Sequence, residues 1–324
     1  VMKGRNADES GEAFKEMWDE FDDPSAIGCD ATRFDQSVSP DALRGEHSVY
    51  LHVYDNDPNL AKLLGWQIKN RGFVRVPDGC IQYRVEGSRM SGDMNTGSGN
   101  VVIMCCIVFA FFRWLRRTKG LKMKWRLANN GDDCVIVVER CNEHYVVSFF
   151  PSFCVELGFG MEMETPVYTL EEIEFCQSHP VCVDGSWRMV RNLENTLAKD
   201  LVSTKPIDGE RSWNMFRAAI ADCGASLTSG LPMYQSFYSY LGRGAGVGRA
   251  KNDGDVTGMM NLARGMHAKV LPVADSTRVS FFRAFGVEPG RQRLLEGVYD
   301  DATPSFTKLQ RVSRFLPHPA LIAL

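Results

Sequence analysis

The chain has 324 residues, more than one compact core holds, so two or three subdomains are expected. Apolar residues at 44% and charged residues at 24% describe an ordinary globular protein, and a net charge of -3 argues against a general nucleic-acid binder, since domains that grip phosphate without selectivity are basic overall. Ten scattered cysteines, some inside apolar runs such as Met104-Cys105-Cys106-Ile107, read as buried thiols of a reducing compartment; with no Cys-x-x-Cys pair and six dispersed histidines, a zinc site is not expected.

Taken in order, Phe14, Met17, Trp18 and Phe21 recur at helical spacing, which predicts a helix with Ser10 as its N-cap and Pro24 as its stop. Ala26 to Asp30 reads as a short buried strand that delivers Asp30 at its C-terminal end. Asp35 follows in a turn that leads through Pro40 into a helix from Asp41. Beyond a turn at Asn56 to Asn59, the segment Leu60 to Gln67 is helical, with Leu63, Leu64 and Trp66 to bury. Phe73 to Val76 and Ile81 to Val85 flank Pro77-Asp78-Gly79 as a hairpin. The glycine-rich stretch Gly87 to Gly99 comes next, where Gly92, Gly97 and Gly99 permit a mobile backbone. A long apolar helix begins at Asn100. Its uninterrupted apolar run, Val101 to Phe112, is shorter than the roughly 18 residues a bilayer needs, so a buried core helix is expected and no transmembrane segment.

Arg113, Arg116, Arg117, Lys119, Lys122, Lys124 and Arg126, interrupted by Trp114 and Trp125, form either a local phosphate-binding surface or a solvated helix end and loop. Leu127 to Val138 reads as two strands pinched around Asn130-Gly131-Asp132-Asp133, a hairpin with two carboxylates at its tip. Asn142 to Leu157 has a helical pattern interrupted by Pro151, which predicts a kink or two short helices. Gly158 to Glu164 is a turn into a strand, and Ile173 to Gln177 with Pro180 to Val183 a further hairpin. Arg191 to Leu201, Ser212 to Cys223 and Pro232 to Leu241 favour helices, Gly242 to Gly248 and Ala250 to Gly258 are loop-like, and the last seventy or so residues show no clear pattern. There is no internal repeat and no secretory signal, and the chain reads as a fragment of something longer.

Adjacent aspartates at a hairpin tip are ordinary turn chemistry when met alone. Here Asp30-Ala31-Thr32-Arg33-Phe34-Asp35 lies upstream and Ser91-Gly92-x3-Thr96-x3-Asn100 between. Asp30 and Asp132, brought side by side on neighbouring strands, would supply what two magnesium ions require. Hard divalent cations take oxygen ligands, and a pair about 4 Å apart activates a 3′-hydroxyl while steadying the leaving pyrophosphate.

In these residues the chain resembles the RNA-dependent RNA polymerases of positive-strand RNA viruses, and among them the tombusvirus-like group. Asp30-x4-Asp35 matches motif A of that family, Ser91-Gly92-x3-Thr96-x3-Asn100 motif B and Gly131-Asp132-Asp133 motif C, while Phe175-Cys176-Gln177 resembles motif E. Lys3-Gly4-Arg5-Asn6 and the run from Trp18 to Pro24 are similar to the stretch before motif A, so the likeness extends from Val1 to about Ser203. The resemblance implies an α+β right-hand polymerase fold: a palm with an antiparallel sheet and flanking helices, partial fingers and a helical thumb. Residues 1–24 would be the end of the fingers and entry to the palm, 25–40 palm, 41–86 a fingers insertion, 87–188 palm and 189–324 thumb.

It further implies that Asp30, Asp132 and Asp133 are the catalytic, metal-binding carboxylates, with Asp30 and Asp132 the principal ligands of two Mg2+ ions, Mn2+ an alternative, and Asp133 also adjusting the charge beside them. Asp35 and Asn100, assisted by Ser91, Gly92 and Thr96, would recognise the ribose 2′-hydroxyl; a site built around a hydroxyl rejects the analogue lacking it by roughly 10⁴. The implied partners are RNA template, nascent strand, nucleoside triphosphates and other viral replicase proteins. The implied location is the host cytoplasm, in membrane-associated replication complexes held through regions outside this chain. The basic motif F that cradles the triphosphate would lie upstream of Val1, and Gly158 to Thr165 offers no lysine as general acid. Two alternatives stand beside template-directed RNA synthesis: a noncatalytic RNA-binding scaffold that keeps the fold, and a reverse transcriptase. Reverse transcriptases favour an aromatic residue near the position of Asp35 and Tyr-x-Asp-Asp in place of Gly-Asp-Asp.

Overall fold

The computed structural model describes residues 1–203, 206–246 and 257–306, an α+β chain in two compact units. The first comprises Val1–Asn192 with Arg283–Phe285, the second Leu193–Phe282 and the residues from Gly286 onward.

The first unit is built around a four-stranded sheet. Its strands are β1 (Pro24–Thr32), β4 (Trp125–Asn129), β5 (Cys134–Glu139) and β6 (Gly160–Met163), in the order β4-β5-β1-β6 and antiparallel throughout. Residues along a strand alternate between faces. Ile27, Cys29 and Ala31 of β1 and Cys134, Ile136 and Val138 of β5 enter one core; Ala26, Val135 and Val137 enter another. Two-sided burial explains why β5 is an unbroken apolar run and not an alternating one.

The first core is closed by α5 (Thr96–Thr118) and α6 (Glu143–Glu156), through Met104, Val108, Phe111, Leu115, Val146 and Phe150. Phe111 is fully buried, with ring centroids of Phe112, Phe150 and Phe153 at 5.2, 5.0 and 5.5 Å. At 23 residues α5 is longer than its apolar run and passes a membrane span's length and composition, yet 56% of its apolar window is buried inside the protein. The second core is closed by α1 (Ala7–Asp19), with Phe14 against Phe175, and by Met189 of the hairpin β7 (Ser178–Val183) and β8 (Ser186–Arg191).

Between β1 and α5 the chain forms a one-turn α2 (Phe34–Ser37), α3 (Pro40–Val53), α4 (Pro58–Trp66) and the hairpin β2 (Lys69–Val76) and β3 (Gly79–Glu86). Ser39 and Asp57 cap α3 and α4, each accepting from the backbone three residues on, and proline follows each cap.

Several expectations need correction. The N-cap of α1 is Asn6, not Ser10: Glu9 N–H donates to Asn6 Oδ1 at 2.8 Å and Asn6 N–H to Glu9 Oε2 at 2.9 Å, a reciprocal capping box one turn earlier. Asp30 lies within β1, which continues to Thr32. Leu63 and Trp66 are exposed, because α4 is a short surface helix that buries only Leu64. Gly97 and Gly99 belong to α5 and not to a mobile loop. Pro151 sits inside one continuous α6. The hairpin pairs Ser178–Val183 with Ser186–Arg191, since Asp184-Gly185 supplies the positive-φ turn, and Ile173–Gln177 is not a strand. All ten cysteines are free, but Cys80, Cys106 and Cys141 are exposed.

The second unit is helical: α7 (Leu193–Lys199), α8 (Glu210–Thr228), α9 (Tyr234–Gly242), α10 (Thr257–Leu262), α11 (Asp275–Phe285) as far as Phe282, and α12 (Pro289–Asp301). The last three fall where no pattern was legible. A Cβ on Gly224 of α8 would collide with the ring of Tyr238, so glycine is what allows α9 to approach. Tyr238 Oη donates to Asp200 Oδ2 at 2.6 Å, and Arg278 pairs with both oxygens of Glu296 at 2.9 and 2.8 Å. Of the two expected loops, Gly242 to Gly246 is described; 247–256 lies outside the described residues.

Candidate active site

The pairing of β1 with β5 sets Cys29 opposite Cys134, so Asp30 stands beside the tip that carries Asp132 and Asp133. On its other side Asp30 is registered with Glu162 of β6. The tip is held by its own hydrogen bonds. Gly131 N–H donates to Asn129 Oδ1 at 2.8 Å and Asn130 N–H to Asp133 O at 3.0 Å, while Gly131 has φ 112°, which a residue with a side chain rarely adopts.

Two carboxyl groups here are harder to ionise than usual. Asp133 is pushed above the ordinary aspartate range, first by partial desolvation and then by the charges of Asp132, Asp30 and Glu174. Glu164 is raised as well, by burial first and then by Glu174, Asp30 and Asp133. Asp30, Asp132, Asp133, Glu164 and Glu174 therefore share one negative field although three distant segments supply them. A Cβ on Gly28 would strike the Glu164 carboxylate, so the glycine two residues before Asp30 gives that acid its place. Glu164 and Glu174 were missed in the sequence; the available signal was Glu162-x-Glu164 alternating just after the Gly158 turn.

Against the tip lies the turn Phe175 to Ser178, with Cys176 and Gln177 both at positive φ. Asn130 Nδ2 donates to Cys176 Sγ at 3.2 Å, and burial foremost holds that thiol up at about 12, so it is inert as a nucleophile at neutral pH.

Asp35 on α2 and Asn100 on α5 meet directly: Asn100 Nδ2 donates to Asp35 Oδ1 at 2.7 Å. A Cβ on Gly131 would lie 3.7 Å from Asn100 Cβ, so this pair adjoins the carboxylate tip. Not all of the expected residues join it. Ser91 and Gly92 are exposed on the preceding loop, and the Thr96 hydroxyl reaches the carbonyls of Met90 at 2.8 Å and Asp93 at 2.9 Å, closing that loop. Arg89 and Glu46, which sequence reasoning passed over, are buried behind Asn100.

Within the basic run, Lys124 and Arg126 are spent on Glu20: Lys124 Nζ donates to its backbone carbonyl at 2.6 Å and Arg126 Nε to its carboxylate at 2.7 Å. Arg113, Arg116, Arg117, Lys119 and Lys122 stay exposed.

Among the described residues no three His, Cys, Asp or Glu side chains converge on one point as a ready metal cage. The donor set nonetheless suits a hard divalent cation: every donor is a carboxylate oxygen, and the mutual repulsion that adds to desolvation in raising Asp133 and Glu164 is what such an ion would relieve.

The family model of viral RNA-dependent RNA polymerases matches residues 1–307. The chain belongs to that family. It is 43% identical over 305 residues to the RNA-directed RNA polymerase of Tobacco necrosis virus (strain D), covering 91% of this chain and 41% of the relative. The RNA-directed RNA polymerase of Cucumber necrosis virus is 40% identical over 299 residues, with 92% and 36% covered, and that of Tomato bushy stunt virus (strain Cherry) 41% over 295 residues, with 91% and 35% covered. The chain thus spans about two fifths of the length of these relatives or somewhat less. The matched region contains every residue of the carboxylate tip and of the Asp35–Asn100 pair.

Proposed function

We propose that this chain is the catalytic core of an RNA-directed RNA polymerase, joining ribonucleotides on an RNA template by two-metal nucleotidyl transfer. One observation carries the reading: β1 pairs with β5 so that Cys29 faces Cys134, which brings Asp30 beside the Asp132-Asp133 tip and sets carboxylates from two remote segments together, as a metal-dependent polymerase needs. On this reading the sheet β4-β5-β1-β6 with α5 and α6 is the palm (25–40 and 87–188). Residues 1–24 end the fingers, 41–86 are a fingers insertion and 189–324 the thumb.

Asp30 and Asp132 would hold the ions, Mg2+ or Mn2+, through carboxylate oxygens. When bound, the ions acidify the attacking 3′-hydroxyl and take up charge on the departing pyrophosphate. Asp133, next to Asp132 on the same tip, adds a carboxylate whose charge bears on the pair. Asp35, with Oδ1 engaged by Asn100, offers its other oxygen to the ribose 2′-hydroxyl. A deoxynucleotide leaves that acceptor without a donor, and the site rejects it. The same pair weighs against a reverse transcriptase. RNA template, nascent strand and triphosphates are the partners.

The test is Asp132→Ala in the full-length protein. Primer extension on an RNA template should be abolished while RNA binding is retained, because Asp132 holds metal and not phosphate. Full extension by that variant would remove the assignment, and equal use of deoxynucleotides by the wild type would favour the reverse transcriptase.

A further inference from the structure

We infer that Arg89 and Glu46 are positioning residues for sugar selection: a buried ion pair that fixes which way the Asn100 amide faces and, through it, how Asp35 is presented. This rests on the reading of Asp35 and Asn100 as the ribose site.

A carboxamide has a donor end and an acceptor end of nearly equal size, and nothing in its shape decides which end faces Asp35. The wrong orientation sets carbonyl oxygen against carboxylate. The Asp35 carboxylate already favours the amino end, and Arg89 enforces that choice from the other side, because a guanidinium only donates. Its Nε–H reaches Asn100 Oδ1 at 3.2 Å, so the carbonyl must face Arg89 and the amino group must face Asp35, where it donates at 2.7 Å. Arg89 is tied to the same segment through its backbone, with its N–H donating to Asp35 O at 2.7 Å.

The guanidinium is held in turn by Glu46 of α3, an ion pair with both side chains wholly out of water. Asn95 Nδ2 donates to Glu46 Oε1 at 2.8 Å, and Gln67 Nε2 to Asn95 Oδ1 at 2.8 Å, so both ends of the carboxylate are engaged. Gly99 shows how closely this pair is built against α5: a Cβ there would collide with Glu46 Oε1 and Arg89 Nη2, although the backbone of Gly99 is plain helix and needs no glycine for its φ. The glycine makes room for the ion pair one residue before Asn100.

Stability alone is a poor reason for such an arrangement. A buried ion pair gains little over apolar residues of the same volume, and Arg89 Nη1 is left buried without a partner. A second constraint on the orientation of Asn100, fixed from the side away from Asp35, is what the pair supplies and apolar packing could not.

The experiment is single-turnover extension of a primed RNA template by the full-length polymerase, with matched ribonucleotide and 2′-deoxyribonucleotide, in Arg89→Lys and Glu46→Gln. The ribo-to-deoxy efficiency ratio should fall by about tenfold. The change should lie in a raised KM for the ribonucleotide with the deoxynucleotide KM unmoved, since only the former uses the oriented pair. Parallel losses with both nucleotides would mean a merely structural role and overturn the inference. Gly99→Ala removes no polar group, only crowds the ion pair, and serves if the first variants do not fold; an unchanged ratio in folded Gly99→Ala also overturns it. A ratio lowered by Asn100→Ala but by none of these variants defeats this inference alone. A ratio untouched even by Asn100→Ala defeats the ribose-site reading beneath it.

Discussion

Asn100→Ala removes two charge-assisted hydrogen bonds at once, one given to Asp35 at 2.7 Å and one taken from Arg89 at 3.2 Å. A hydrogen bond to a charged partner contributes about 1.5–3 kcal/mol net. Asp35 is half-exposed, so its share falls at the lower end; Arg89, buried and already carrying one unpaired nitrogen, adds a desolvation cost. Together the loss is about 3 kcal/mol, or roughly 6–12 °C in the melting of a unit this size. The Asp35–Asn100 term is isolated by a double-mutant cycle: urea titrations of wild type, Asp35→Ala, Asn100→Ala and the double variant should give a coupling of about 1–2 kcal/mol. Single effects that add to within about 0.3 kcal/mol would mean that the bond does not form, and the sugar-selection mechanism would lose its geometry.

Phe111→Ala should destabilise by about 3–5 kcal/mol in denaturant titration, since a fully buried ring packed against three aromatic neighbours leaves a cavity under α5, and a loss under about 1 kcal/mol would contradict the two-sided core. Glu164→Gln should raise thermal stability at pH 7 without divalent ions. The native carboxyl titrates above its unfolded value, so ionisation costs the native state stability as pH rises past about 4.5, and the gain in the variant should vanish near pH 4. An advantage independent of pH would show that the crowding around Gly28, and not charge, is being relieved.

The sequence made the motif residues legible because each sits beside a local signal: Asp30 at the end of the short apolar run Ala26 to Cys29, Asp132 in an Asn-Gly turn, Asn100 at the head of a long apolar helix. The strands β1, β4 and β5 and the β4–β5 hairpin were recoverable for the same reason, whereas the antiparallel sheet was implied by the family resemblance alone. What could not be read depends on contacts between remote segments. Nothing in its own segment sets Glu164 beside Asp30 until Gly28 leaves room for its carboxylate, and Glu46 lies in a helix whose pattern does not mark it as buried. Gly99 resembled a flexible joint because a sequence does not distinguish a glycine needed for φ from one needed for space. Helices α11 and α12 were missed because their exposed faces carry leucine, valine and phenylalanine, which blurs the amphipathic period.

The decisive question is whether Asp30 and Asp132 hold the same cations. With Fe2+ replacing Mg2+ and peroxide and ascorbate added, hydroxyl radicals formed at the bound ion should cut the backbone at both Asp30 and Asp132-Asp133. Asp30→Ala should abolish both sets of cuts, and excess Mg2+ should suppress them. Cleavage at only one of the two strands, or cuts at both that survive Asp30→Ala, would contradict a shared metal site.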